Sequence, residues 1–167
     1  MEKLIKINQN IDLLTKEGYM TPVEIQFLNK VSDLIQHHTN AISTNHVGFM
    51  TIQEISSYLD MDCNEADKNI NSLVKKGILF EFINKVTIHD YHSMTSSRPL
   101  FMNPEIMYRG DVTKVDATLC TLVSHFDKID RKIKMPFKVF LAPDAEYGMI
   151  YPREWIDHFF KEIQYKI

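Results

Sequence analysis

Residues 51–80 read TIQEISSYLDMDCNEADKNINSLVKKGILF, and two consecutive helices with a tight turn between them are written into that stretch. Thr51 offers a hydroxyl to cap a helix, and Glu54, three residues on, can return the favour to the Thr51 amide. Ile52, Ile55 and Leu59 then fall on one stripe, which gives a short helix ending at Asp60-Met61-Asp62. A second helix follows, running from about Asn64 to Lys76. Ala66, Ile70, Leu73 and Val74 face inward, and Gly77, the residue best able to take positive φ, ends it. Asp60 stands in the turn between the helices and tolerates left-handed φ better than most residues.

Working upstream, Thr21-Pro22-Val23-Glu24 repeats the same grammar: a capping hydroxyl, a proline at the first helical position and a glutamate at the third. Phe27, Leu28, Val31, Leu34, Ile35 and Ile42 follow at helical spacing and predict a helix over roughly Pro22 to Ala41. Downstream of Gly77, the run Ile78 to Ile83 is rich in β-formers, and Val86 to His89 follows across Asn84-Lys85, so a β-hairpin is expected. A third apolar run, Pro99 to Met102, comes after a polar loop from Tyr91 to Ser97. Three helices followed by a hairpin is the order of a winged helix-turn-helix. In it two short helices bury their stripes against a first helix and leave one face of the third exposed. The expected class is α+β, mainly helical, with added C-terminal helices and a short strand pair. Residues 1–20 read as an N-terminal extension, 21–110 as the winged helix-turn-helix unit and 111–167 as a C-terminal dimerisation or packing region.

Two resemblances agree with this reading. The segment from Thr51 to Asp62, with Ala66 to Val74 and Lys75-Lys76-Gly77-Ile78-Leu79, resembles the helix-turn-helix and its lysine-lysine-glycine ending in MarR-like winged-helix proteins. Asp60 stands where that pattern usually has glycine. Leu100 to Asp111, LFMNPEIMYRGD, resembles the segment after the wing in RepL-type plasmid replication initiators. Both likenesses imply DNA binding, the second at a replication origin.

The polar face of the helix after Asp62 carries its own argument. With Ala66, Ile70, Leu73 and Val74 inward, Asn64, Lys68, Asn71, Ser72 and Lys75 point outward at 100° per residue, and Asn69 and Lys76 lie at the edges. Asparagine can pair bidentately with adenine, lysine with guanine acceptors and serine with a base or a phosphate, while Lys75 and Lys76 can neutralise phosphates. Lys85 at the hairpin tip and Arg98 beyond it could reach an adjacent groove or the backbone. The plainer alternative is a solvated polar face of the kind any amphipathic helix has. Glu65 and Asp67 flank the face and would repel phosphate unless they turn away.

From Val115 the apolar series Val115, Leu119, Leu122, Phe126, Ile129, Ile133 steps by four and three residues, a heptad seam that predicts one long helix. Such a helix could join two copies and set two reading heads about one duplex turn apart. The alternative is a helix that packs on the first helix within the chain. Phe137 to Leu141 reads as a strand, Pro143 to Gly148 as a loop, and Pro152 opens a final helix with Trp155, Ile156, Phe159, Phe160 and Ile163 inward. So much aromatic surface needs a cover, either the winged helix itself or a protein partner.

Composition sets the outer limits. Of 167 residues, 44% are hydrophobic and 25% charged, proportions of a globular domain rather than a disordered chain. No run approaches the 18 apolar residues a membrane span needs, and MEKLIKINQN lacks a signal peptide's apolar centre, so a cytoplasmic protein is expected. Five glycines leave no room for a phosphate-cradling loop. Two cysteines, Cys63 and Cys120, exclude a four-thiolate zinc site, and neither has a basic neighbour that would activate a thiol. The His37-His38 and His89/His92 pairs lack the spacing that converges two imidazoles, so no metal is expected. No acid/base pair stands at a recognisable spacing, so neither a cofactor nor an enzymatic activity is expected. Net charge is −3, a mild argument against nucleic acid, yet residues 98–138 carry 8 basic and 5 acidic side chains. Affinity for a polyanion follows local potential, not the total. The expectation is a homodimer that binds specific double-stranded DNA, as a transcriptional regulator of phage, plasmid or bacterial type. A plasmid replication initiator and a protein-interaction module that ignores DNA are the alternatives.

Overall fold

The computed structural model describes residues 3–44, 48–82, 97–126, 128–129 and 131–166. In chain order its elements are β1 (Leu4–Lys6), α1 (Asn8–Lys16), α2 (Pro22–Val31), α3 (Ile52–Leu59), α4 (Cys63–Lys75), β2 (Leu79–Glu81), β3 (Leu100–Met102), β4 (Met107–Arg109), α5 (Ala117–Phe126), β5 (Phe137–Phe140), β6 (Met149–Pro152) and α6 (Arg153–Lys166). The class is α+β. Among the described residues the strands pair antiparallel as three two-stranded sheets, β1 with β4, β2 with β3 and β5 with β6.

Both capping boxes form. Thr21 Oγ1 accepts from the Glu24 amide at 3.2 Å and the Glu24 carboxylate from the Thr21 amide at 2.9 Å. Thr51 and Glu54 repeat the exchange at 3.1 Å in both directions. α3 ends on Asp60 at φ 53°, in the left-handed region, and Asp62 then caps α4 by accepting from the Asn64 amide at 3.0 Å. Gly77 is needed twice over. Its φ is +77°, and a β-carbon there would sit 2.5 Å from the Lys128 amide nitrogen.

The helix expected over Pro22 to Ala41 stops early. α2 gives way to one 3-10 turn, Ser32–Leu34, after which Ile35 is extended and bridges Ile42, with His38 and Asn40 at positive φ. The cause lies far along the chain. Arg109 donates from Nε to the Ile35 carbonyl at 2.6 Å and from Nη2 to the Ser32 carbonyl at 3.2 Å, closing the helix end with a cation where the dipole is negative. Buried Asn40 donates to the carbonyls of Met102 and Met107 and accepts from the Arg109 amide. Ile35 and Ile42 are both buried, so the apolar spacing is satisfied by a bridge instead of a longer helix.

The partner of β2 is the third apolar run: Leu79 faces Met102, Phe80 faces Phe101 and Glu81 faces Leu100. The hairpin expected across Asn84-Lys85 lies outside the described residues. The N-terminal residues are no appendage. β1 pairs with β4, Leu14 is fully buried, and buried Asn10 donates to the carbonyls of Glu105 and Phe137 while accepting from the Phe137 amide.

The long heptad helix does not exist either. α5 covers only Ala117–Phe126. Val115 precedes it in a bridge to Gly148, and Ile129 and Ile133 follow it on a turn. Two cores divide the seam. Val115 and Leu119 are buried in a small cluster with Tyr108 and Cys120, against which Leu122 packs. Ile129 belongs to the main core with Leu73 and Ile78, and Ile133 packs on its edge. Phe126 is half-buried, its ring 6.2 Å from that of Phe80. The four-three spacing therefore records burial within this chain at Val115, Leu119 and Ile129, while Leu122, Phe126 and Ile133 are half-buried.

The strand at Phe137 has a partner that the sequence reading left out, β6, which pairs Val139 with Ile150. In α6 Ile156 is buried, but Trp155 is 44% exposed, contrary to its expected inward place, and stacks on Tyr151 at 4.2 Å and on Phe159 at 5.6 Å. The side chains of Phe160 and Ile163 lie outside the described residues. Among the described residues no helix is long and apolar enough to cross a membrane.

Candidate nucleic-acid interface

α4 is held from behind by Ala66, Ile70 and Leu73, all fully buried. With that face fixed, Asn64, Lys68, Asn71 and Lys75 recur at intervals of four, three and four and form one exposed stripe, about 16 Å long at 1.5 Å per residue. Trp155 and Phe159 of the C-terminal helix pack edge-on against Phe140 of the β5–β6 sheet and leave this stripe open.

The remaining residues predicted for the face have other work. Asn69 is 8% exposed and its amide donates to the Glu65 carbonyl within the helix. Ser72 Oγ donates to Glu24 Oε2 at 2.7 Å, and Lys76 Nζ to Glu24 Oε1 at 2.7 Å. Lys76 also lies 5.8 Å from the centre of the Tyr19 ring, and the Tyr19 hydroxyl donates to the Lys76 carbonyl. Ser72 and Lys76 therefore fasten α4 to α2 and the chain before it. Burial would push the Glu24 carboxyl up, but the bonds from Lys76, Ser72 and the Thr21 amide, with the charge of Lys76, outweigh it and hold Glu24 below its ordinary value.

Arg98 is not a surface cation. Its side chain is 3% exposed, and its guanidinium spans three partners. Nε and Nη2 engage both carboxylate oxygens of buried Glu81, Nη1 donates to Asp67 Oδ1 at 2.8 Å, and Nη2 also donates to Asn71 Oδ1 at 2.9 Å. Asn71 Nδ2 in turn donates to Asp67 Oδ2 at 3.2 Å. Arg98 thus joins the base of the β2–β3 pair to the outward face of α4. Asp67, which was expected to repel phosphate, is bound to a cation. Glu65 remains exposed. Lys85 lies outside the described residues.

Sequence reasoning missed this ion cluster because Glu81 and Arg98 are 17 residues apart and look like ordinary strand-edge charges. It also missed the buried asparagines. Asn103 donates to the Gly77 carbonyl and accepts from the Glu105 amide, and the Glu105 carboxylate accepts from Lys138 Nζ and the Val139 amide. Asn103, Glu105 and Arg109, which lie in the segment quoted for the replication-initiator likeness, are therefore structural junctions in this chain.

Two features bear on chemistry. Burial, followed by the nearby charge of Asp116, pushes the Cys120 thiol up to about 11, the opposite of an activated nucleophile. Among the described residues no three His, Cys, Asp or Glu side chains converge as metal ligands do.

No family model matches the chain, and no solved structure matches it. A protein of Bacillus thuringiensis described as an uncharacterized 23.6 kDa protein is 27% identical over 132 residues. That match takes in 75% of this chain and 62% of the relative, so the chain spans less than two thirds of the protein it resembles.

Proposed function

We propose that this protein binds double-stranded DNA as a winged helix-turn-helix, with α4 as the reading helix and the segment joining β2 to β3 as the wing, and that it regulates transcription. The observation that carries the reading is the capped helix, left-handed turn and capped helix that hold Asn64, Lys68, Asn71 and Lys75 in one uncovered stripe. Its two lysines suit phosphates or guanine, its two asparagines suit adenine, and the stripe is about as long as a reading helix lays along a major groove. The nearest acid, Asp67, shares the Arg98 guanidinium with buried Glu81, so these three groups together carry one negative charge instead of the two that the carboxylates alone would.

The expected behaviour is modest, salt-dependent affinity. Mobility shift with random genomic duplex fragments, stepped in salt, tests it. Lys68→Ala and Lys75→Ala are each expected to reduce the slope of log affinity against log salt by about 0.9 if the lysine contacts phosphate. No retardation at low salt defeats the reading, and unchanged slopes in both variants defeat the assigned face. Sequencing the retained fragments separates a promoter-proximal regulator from an origin-binding replication initiator.

A protein-interaction role has one observation of its own. Trp155, at the centre of the Tyr151–Trp155–Phe159 stack, is 44% exposed. That edge suits an apolar partner without involving α4.

A further inference from the structure

We propose that Asn71 reads an adenine and that buried Arg98 is its positioning residue, an assignment that rests on the duplex-binding reading above. The argument starts from what an amide can offer. An asparagine side chain has two N–H donors and two acceptor lone pairs, and its oxygen and nitrogen ends can ordinarily exchange by a half-turn. Here they cannot. Arg98 Nη2 can only donate, and it meets Oδ1; the Asp67 carboxylate can only accept, and it meets Nδ2. Turning the amide over would set donor against donor and acceptor against acceptor.

The same network leaves the amide half used. One N–H and one lone pair are taken by Asp67 and Arg98, and one of each remains on a side chain that is exposed in the middle of the stripe. Adenine presents one acceptor, N7, and one donor, N6–H, side by side in the major groove, which matches that remainder. Guanine presents two acceptors there and matches only half of it. Arg98 is fixed in turn by Glu81, whose side chain is fully buried, so the orientation of Asn71 is set by the base of the strand pair. Lysine could not substitute, because one ammonium on a flexible stem cannot reproduce the planar fork that reaches Glu81, Asp67 and Asn71 together.

The test is selection of bound sequences from a randomised duplex library, with affinities then measured on the winning site and its single-base variants. The wild type is expected to enrich a motif containing an adenine at one position that Asn71→Ala no longer prefers, discrimination there falling about tenfold or more. Asp67→Asn, at a half-exposed position and nearly isosteric, supplies an acceptor that can also become a donor. It is expected to relax preference at that same position alone, with the remaining positions and the thermal midpoint close to wild type. Arg98→Lys should do the same at some cost in stability. A merely structural role for Arg98 would instead weaken binding evenly across all bases. A wild-type motif left intact by both Asn71→Ala and Asp67→Asn overturns the assignment while duplex binding stands. A wild type that retains no duplex at low salt overturns duplex binding itself, and this assignment with it.

Discussion

At the scale of single residues, the side chains most informative about this protein are those whose partners are far away in sequence. Glu24 was legible as half of a capping box, but not as the acceptor that Ser72 and Lys76 share. Because its folded pKa lies below the ordinary carboxyl value, its contribution to stability is present above about pH 4.3 and is lost as pH falls through the lower folded value. Glu24→Gln should cost about 1–3 kcal/mol at pH 7 in denaturant unfolding, and the gap from wild type should close in acid. A gap that persists unchanged at pH 3 would mean that the charge is not what matters. Cys120 works in the opposite sense. Its thiol is raised from 9.0 to about 11, so the neutral form is favoured by the fold and stability is lost as pH climbs through that range. Titration of the native protein with a disulfide reagent should therefore label half-exposed Cys63 and spare Cys120 until the chain is unfolded.

Secondary-structure elements were most legible where local chemistry alone fixes their ends. The capping boxes at Thr21 and Thr51 and the stop at Gly77 all need only neighbours within a turn, and all three form. Asp60 is the sharpest local test. It holds φ 53° with no glycine, so Asp60→Ala should destabilise by about 1 kcal/mol, while Asp60→Gly should be neutral or slightly stabilising, both read as shifts in thermal midpoint. If alanine and glycine behave alike, the turn is not strained. Elements failed to be legible where a distant residue ends them. Nothing near Val31 says that Arg109 will close the helix there. The heptad from Val115 to Ile133 was misread for a related reason: a four-three spacing says which residues are buried, not that one helix buries them against one surface.

For the whole molecule, burial sorts the interior from the interface. Leu119 is 2% exposed inside the chain, so Leu119→Glu should lower stability by on the order of 3 kcal/mol and bring early unfolding in a thermal melt, with no folded species of smaller mass in light scattering. A folded variant of half the wild-type mass would instead make Leu119 part of a contact between copies. Three segments that the sequence kept apart are sewn together by buried asparagines. Asn10 ties the N-terminus to Phe137, Asn40 ties the end of the first helical region to β3 and β4, and Asn103 ties β3 to Gly77. Division at residues 20 and 110 would cut the first of these assemblies and leave the other two within one segment.

Capping residues, breakers and apolar periodicity were enough to specify α3, the turn at Asp60 and α4, because each is decided by interactions within a few residues. The outward stripe of α4 followed from the same spacing. Which of its polar residues remain available was decided by tertiary structure alone. Ser72 and Lys76 face a carboxylate from another helix, and Arg98 is withdrawn into a buried ion cluster, since a charged group inside a protein must find a partner wherever the fold brings one.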